Sequence, residues 1–82
     1  MMDRKYASRM VEEIYRYCNQ NQLFTCGSVE QYNRMFDFVR DGQLLEAAVC
    51  IYICSDFTDN KEITLETIGT DIKIMYDKMK EN

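Results

Sequence analysis

The chain has 82 residues, a formal net charge of −4, 46% hydrophobic residues and 29% charged residues. A chain of this length forms one small domain that buries only about 60–65% of the surface its unfolded form exposes, so a deep active-site cleft is not expected. It contains no histidine, which excludes Cys–His and Ser–His nucleophile pairs and every metal site that depends on imidazole.

The first predicted helix begins after Asp3, a residue type that caps helix N-termini. Apolar residues then recur at steps of three and four, the spacing of one amphipathic stripe. They are Ala7, Met10, Val11, Ile14, Tyr17 and Cys18. The polar stretch 19–22 ends this helix at about Asn19, and residues 23–27 form a connector.

The second predicted helix has the clearest start signal in the chain. Ser28 and Gln31 have the spacing of a capping box, in which both side chains satisfy free backbone N–H groups. The predicted buried face holds Tyr32, Met35, Phe36 and Val39. Gly42 stands where a left-handed residue closes a helix.

The third predicted helix, near residues 43–55, is apolar nearly all the way round. A helix of that kind belongs in the middle of a bundle. Residues 49–53 taken alone favour a strand, and this alternative stays open, although the length of the segment and its Ala47–Ala48 pair favour a helix.

A polar loop over residues 55–62 precedes the last predicted helix. Asp56, Thr58 and Asn60 alternate like calcium ligands, but Lys61 replaces the required glycine and Thr67 the bidentate glutamate, so no metal is expected there.

The last helix is capped by Thr64 or Asn60. Its buried stripe consists of Leu65, Ile68, Ile72, Met75 and Met79. The sequence therefore predicts an all-α fold: one helical domain over residues 1–82, a compact bundle of about four short helices around a central apolar helix.

The four cysteines are expected to be free. Zinc ligands usually come in two close pairs, whereas here only Cys50 and Cys54 are close, with Cys18 and Cys26 elsewhere. No stretch has the pattern of a signal peptide, and the longest apolar run is far below the roughly 20 residues that span a membrane. We therefore expect a soluble, cytoplasmic protein with thiols that act as small hydrophobic residues, and no cofactor.

Acidic residues are concentrated in the middle of the chain. Residues 37–71 contain eight acidic and two basic residues, whereas both flanks are mildly basic. Carboxylates on a rigid scaffold can occupy a basic groove that normally holds phosphates; the alternative is an ordinary solvated face. The predicted partner-binding residues are Asp41, Glu46, Asp56, Phe57, Asp59, Glu62 and Glu66.

Several aromatic residues lie off or at the edges of the apolar stripes, where they are candidates for interface anchors or for the buried face of a homodimer. These are Tyr6, Tyr15, Phe38, Tyr52, Phe57 and Tyr76. Phe57, in the acidic loop, is the preferred anchor.

A helix-turn-helix regulator is one alternative function, and a homodimeric structural or interaction module is the other. A DNA reader needs a basic recognition helix that neutralises phosphates. The third and fourth helices are instead mostly acidic, so direct DNA binding is the weaker hypothesis.

Residues 23–28, Gln31–Tyr32, Met35–Phe36 and residues 53–56 resemble a family of small proteins carried on phages and conjugative elements of low-GC Gram-positive bacteria. The resemblance implies an accessory protein of a mobile element, similar in style to anti-CRISPR inhibitors. It assigns no functional residue. Together with the acidic charge, it predicts a non-catalytic inhibitor of a protein with a basic surface, such as a Cas nuclease.

Overall fold

A computed structural model describes residues 2–23, 28–54 and 63–81 of the chain. These residues form four α-helices and no strand: α1 (Arg4–Gln20), α2 (Val29–Arg40), α3 (Leu44–Cys54) and α4 (Leu65–Glu81). The all-α bundle predicted from the sequence is confirmed, and residues 49–53 are helical.

The helices pack in a ring. α1 contacts α2 and α4, and α3 contacts the same two helices from the other side. The short turn after α2 makes α2 and α3 antiparallel neighbours. α4 also runs antiparallel to α3, because Gly42, just before α3, lies near Tyr76, whereas Ala48, further along α3, lies near Gly69.

The helix starts follow the sequence signals. The Asp3 carboxylate accepts a hydrogen bond from the Lys5 N–H at 2.8 Å, and the Ser28 hydroxyl accepts one from the Gln31 N–H at 3.1 Å. At α4, the Thr64 hydroxyl accepts from the Thr67 N–H at 3.1 Å. Thr64 is therefore the cap of α4; the alternative cap, Asn60, lies outside the described residues.

The core contains the inward stripes of α1 and α4 together with two residues of α2 and three of α3. Its fully buried large side chains are Met10, Val11, Ile14, Cys18, Met35, Val39, Ile68 and Ile72. Tyr32 and Phe36, predicted in the buried face of α2, are only partly buried.

The expectation of several aromatic anchors at the surface needs correction. Tyr76 is buried, because it packs into the core beside the α2–α3 turn, and Tyr6, Tyr15 and Phe38 are partly buried against the same core. Among the described candidates only Tyr52 is exposed. Phe57 lies outside the described residues.

The expectation that α3 is covered on all sides is also wrong. α3 buries its smaller residues, Ala47 and Ala48, together with Ile51, while Leu45 is 66% and Ile53 61% exposed. The reason is the ring arrangement, because the described helices that pack most extensively on α3 are α2 and α4, on two of its sides.

Candidate protein-binding surface

The outer face of α3 is apolar. Leu45, Val49, Tyr52 and Ile53 fall within one side of the helix at about 100° per residue. Leu45, Tyr52 and Ile53 are exposed and Val49 is half-buried. We call these four residues the α3 outer face; it is a contiguous apolar stripe, which is rarer on a small protein than single exposed apolar residues.

A groove runs between α3 and α4 on one side of this face. It has a volume of about 720 Å³, and its apolar lining includes Leu45, Leu65 and Ile74. Gly69 forms part of its wall and lies close to Ala48 of α3. Both positions carry small residues, so α4 lies close to α3 at this contact.

A second groove runs between α2 and α3 on the other side. Its volume is about 370 Å³, and Leu45, which also lines the first groove, borders it together with Phe38, Val49 and Ile53. The Cys50 thiol also lines it. The two grooves thus meet at Leu45 and form one surface with the α3 outer face.

Charged residues border both grooves. Glu66 and Lys73 lie on the α3–α4 groove, and Arg34 and Glu46 lie on the α2–α3 groove. Among the described residues, the rim of this apolar surface therefore carries two acidic and two basic residues, which balance to zero.

The structure divides the acidic stretch into two groups. Asp37 and Asp41 form ion pairs with Arg40, and Asp71 accepts a hydrogen bond from Tyr17 at 2.6 Å. These three carboxylates are thus used within the fold.

The predicted site residues Glu46 and Glu66 behave differently. Both are exposed, and no salt bridge joins either of them to another described residue. They are the two predicted residues that the structure brings to the grooves. Asp41 lies at the α2–α3 turn, and Asp56, Phe57, Asp59 and Glu62 lie outside the described residues.

The Asp41 carboxylate is held in its ionised form. A hydrogen bond from the Arg40 guanidinium, at 3.0 Å between Nε and Oδ1, lowers the pKa of Asp41. Because Arg40 already compensates this charge, Asp41 offers a partner less net charge than Glu46 or Glu66.

Tyr17 connects α1 to α4. Burial raises its pKa above the ordinary value, and the hydrogen bond that it donates to the Asp71 carboxylate raises it further. The neutral phenol is the form that donates this hydrogen bond, so Tyr17 keeps its proton at neutral pH and the contact joins the two helices.

Cys18 is buried and Cys50 is half-buried, and neither forms a disulfide with another described residue. Cys26 and the side chain of Cys54 lie outside what the structure describes. In the described ranges no three or more acidic or cysteine side chains come together as metal ligands. None of the four helices has the length and apolar character needed to cross a membrane.

The sequence patterns did not identify the α3 outer face. The segment was apolar all round, and that property alone does not say which side faces solvent. The usable signal was the position of the small residues: Ala47 and Ala48 permit close helix packing, so the larger residues opposite them are the ones left outside.

Comparisons with protein-family models, with curated proteins and with solved structures found no match to this chain.

Proposed function

We propose that this chain is a small non-catalytic binding protein that docks another protein on the α3 outer face and its two grooves. The observation that carries the proposal is the inverted burial of α3, which hides alanines and displays Leu45 and Ile53. Covering one such side chain contributes about 1.5–3 kcal/mol. Surfaces of this kind supply the apolar centre of an interface, with a polar rim around it.

The partner we propose is a protein with an apolar ridge flanked by basic residues. The ridge would enter the grooves beside Leu45, and basic side chains would meet Glu46 and Glu66. The net charge of −4 favours encounter with a basic protein through complementary long-range fields.

The finer proposal is that binding is inhibitory. Proteins that handle nucleic acid carry basic surfaces that neutralise phosphates, and an acidic domain seated on such a surface excludes those phosphates. The resemblance to mobile-element proteins supports the same function, an anti-CRISPR-like inhibitor of a Cas nuclease acting in the cytoplasm.

The test is size-exclusion chromatography with light scattering, using the reduced protein mixed with a panel of Cas nucleases and, separately, with short duplex DNA. The variant Leu45→Asp, Ile53→Asp places charge on the α3 outer face. Val29→Asp is the matched control, because Val29 is 75% exposed in the first turn of α2, where an acidic residue is well tolerated.

We expect a complex with a nuclease that the double variant loses and the control keeps. Binding by both variants alike would contradict the role of the α3 outer face. A complex with DNA alone, weakening steeply with salt, would instead support a regulator.

A further inference from the structure

We infer that in the free protein the α3 outer face is covered by a second copy of the same chain, related by a two-fold axis. This inference rests on the proposed function in taking that face as the docking surface, and it names the occupant. The reasons are the sign and the order of the four charges at its rim.

The charges on the α4 side are separated along the groove. Because α4 runs antiparallel to α3, Lys73 lies toward the N-terminal end of α3 and Glu66 toward its C-terminal end. The two residues are seven positions apart, about 10 Å of helix. Lys73 also forms a salt bridge with Asp77 at 2.9 Å, whereas Glu66 forms none with another described residue.

The α2 side has the opposite order. Glu46 belongs to the first turn of α3. α2 is antiparallel to α3, so Arg34, four residues before Phe38, lies about 6 Å further toward the C-terminal end of α3. Signs therefore alternate around the apolar centre: basic then acidic on one side, acidic then basic on the other.

An alternating rim of this kind is complementary to itself. An isologous dimer places the same patch on both subunits. If two α3 helices pack antiparallel across the axis, Glu46 faces Arg34 of the second copy and Lys73 faces Glu66 of the second copy. If they pack parallel, opposite charges also meet, whereas a right-angled crossing brings like charges together.

A basic partner would pair with Glu46 and Glu66 only and would lie beside Arg34 and Lys73, whereas a second copy pairs all four charges. The required area also suits a second copy. A stable interface takes about 800 Å² from each partner, and the molecule measures 33 × 25 × 19 Å. Such an interface must include α3, both grooves and the rim, which is the whole of this face.

The experiment is sedimentation velocity of the reduced protein over a range of concentrations, starting from the monomer mass of 9.8 kDa. We expect a monomer–dimer equilibrium. Leu45→Asp should abolish it, and Arg34→Glu or Glu46→Arg alone should raise the dimer Kd about 10-fold or more. In the antiparallel dimer the exchanged double variant, Arg34→Glu with Glu46→Arg, should regain most of the lost affinity. In the parallel dimer Glu46 faces Lys73, so the exchange that regains affinity is Glu46→Arg with Lys73→Glu.

The matched control exchanges Glu13 and Arg16, an exposed pair on α1 joined at 2.6 Å, and should leave the Kd unchanged. A monomer at every concentration would overturn the inference, as would a dimer whose Kd is unaffected by Leu45→Asp or a dimer in which neither exchanged variant regains affinity. Circular dichroism of each variant establishes that it is folded. The proposed function is tested separately with the nuclease panel. If the protein is monomeric but a nuclease complex still requires Leu45, the dimer inference fails and the proposed function stands.

Discussion

α1 and α3 use their apolar residues in opposite ways. α1 turns its large residues inward, so that Met10 and Ile14 are fully buried, and presents polar residues to solvent. α3 turns Ala47 and Ala48 inward and presents Leu45 and Ile53. The outward residues of α1 are polar and are well hydrated. The outward residues of α3 expose apolar surface to water, and covering that surface with a partner is favourable.

An apolar pattern therefore identifies a buried face only where polar residues define the other face. In α1 the polar residues decide the orientation. In α3 the single charged residue, Glu46, does not define a polar face, and the orientation is decided by which side allows the closest approach of α2 and α4.

Truncation at matched sites on the two helices should give the largest contrast. Ile14→Ala leaves a cavity in the core and should lower the free energy of unfolding by about 2–5 kcal/mol. Leu45→Ala removes an exposed side chain and should change it by no more than about 0.5 kcal/mol. Urea unfolding at low protein concentration, where the monomer dominates, measures both.

If Ile14→Ala fails to fold, Ile14→Val gives the same comparison with an expected loss of about 0.5–1.5 kcal/mol. Equal losses at Ile14 and Leu45 would mean that the α3 outer face belongs to the monomer core.

The start of α3 should be sensitive to the backbone of Gly42. This residue has a φ of 76°, a region that costs an L-residue about 1–2 kcal/mol. Gly42→Ala should therefore lower the free energy of unfolding by about that amount, as measured by urea titration. Gly42→Asn, which tolerates the left-handed region better, should recover part of the loss; an alanine variant as stable as the parent would contradict the assignment of strain.

The Tyr17–Asp71 contact should make a pH-dependent contribution to the free energy of unfolding. Tyr17→Phe removes one hydrogen bond and should lower the free energy of unfolding by about 1 kcal/mol near neutral pH. Because folding raises the pKa of Tyr17, the contribution is complete below the unfolded pKa of about 10 and is lost as pH rises through the folded value.

The measurement is the difference in unfolding free energy between the parent and Tyr17→Phe at neutral pH and above pH 10. The difference should shrink at alkaline pH. A constant difference would show that the hydrogen bond is not the origin of the effect.

The smallest expected effect is a gain in thermal stability at the contact between α3 and α4. A Cβ at Gly69 would lie 4.0 Å from the Cβ of Ala48, an ordinary contact, and alanine is a better helix former than glycine by about 0.5–1 kcal/mol. Gly69→Ala should therefore raise the melting temperature slightly. Gly69→Val should not raise the melting temperature, because its extra methyl groups crowd the α3–α4 contact. A lower melting temperature for Gly69→Ala would contradict this prediction.

The sequence was sufficient for the fold because its local signals agree. Asp3, Ser28 and Thr64 cap helices by the hydrogen bonds their residue types predict, and Gly42 closes α2 in the left-handed conformation. The site was harder to predict. The sequence predicts Glu46 and Glu66 as partner-binding residues from their charge. Their shared position beside the grooves depends on tertiary packing, which the charge pattern does not contain.

The burial of aromatic residues is difficult to predict from the sequence for a related reason. Tyr17 and Tyr76 carry a polar atom at the end of an apolar ring, so their place in a helix pattern does not show whether they are buried. Tyr76 packs inward, and Tyr17 reaches Asp71 from the side of α1.

A second copy and a heterologous partner would compete for one surface. The dimer would be the resting form, and a partner that binds the α3 outer face would have to displace it. Adding the partner should therefore convert the dimer into a mixed complex, with an apparent affinity that falls as the concentration of this chain rises.

The most direct test of the central claim is the alkylation rate of Cys50 as a function of protein concentration, read by mass spectrometry. This thiol lines the α2–α3 groove, so covering the α3 outer face should shield it. We predict that the rate falls as concentration rises and that Leu45→Asp removes this protection. A rate that is the same at all concentrations in both proteins would contradict the account.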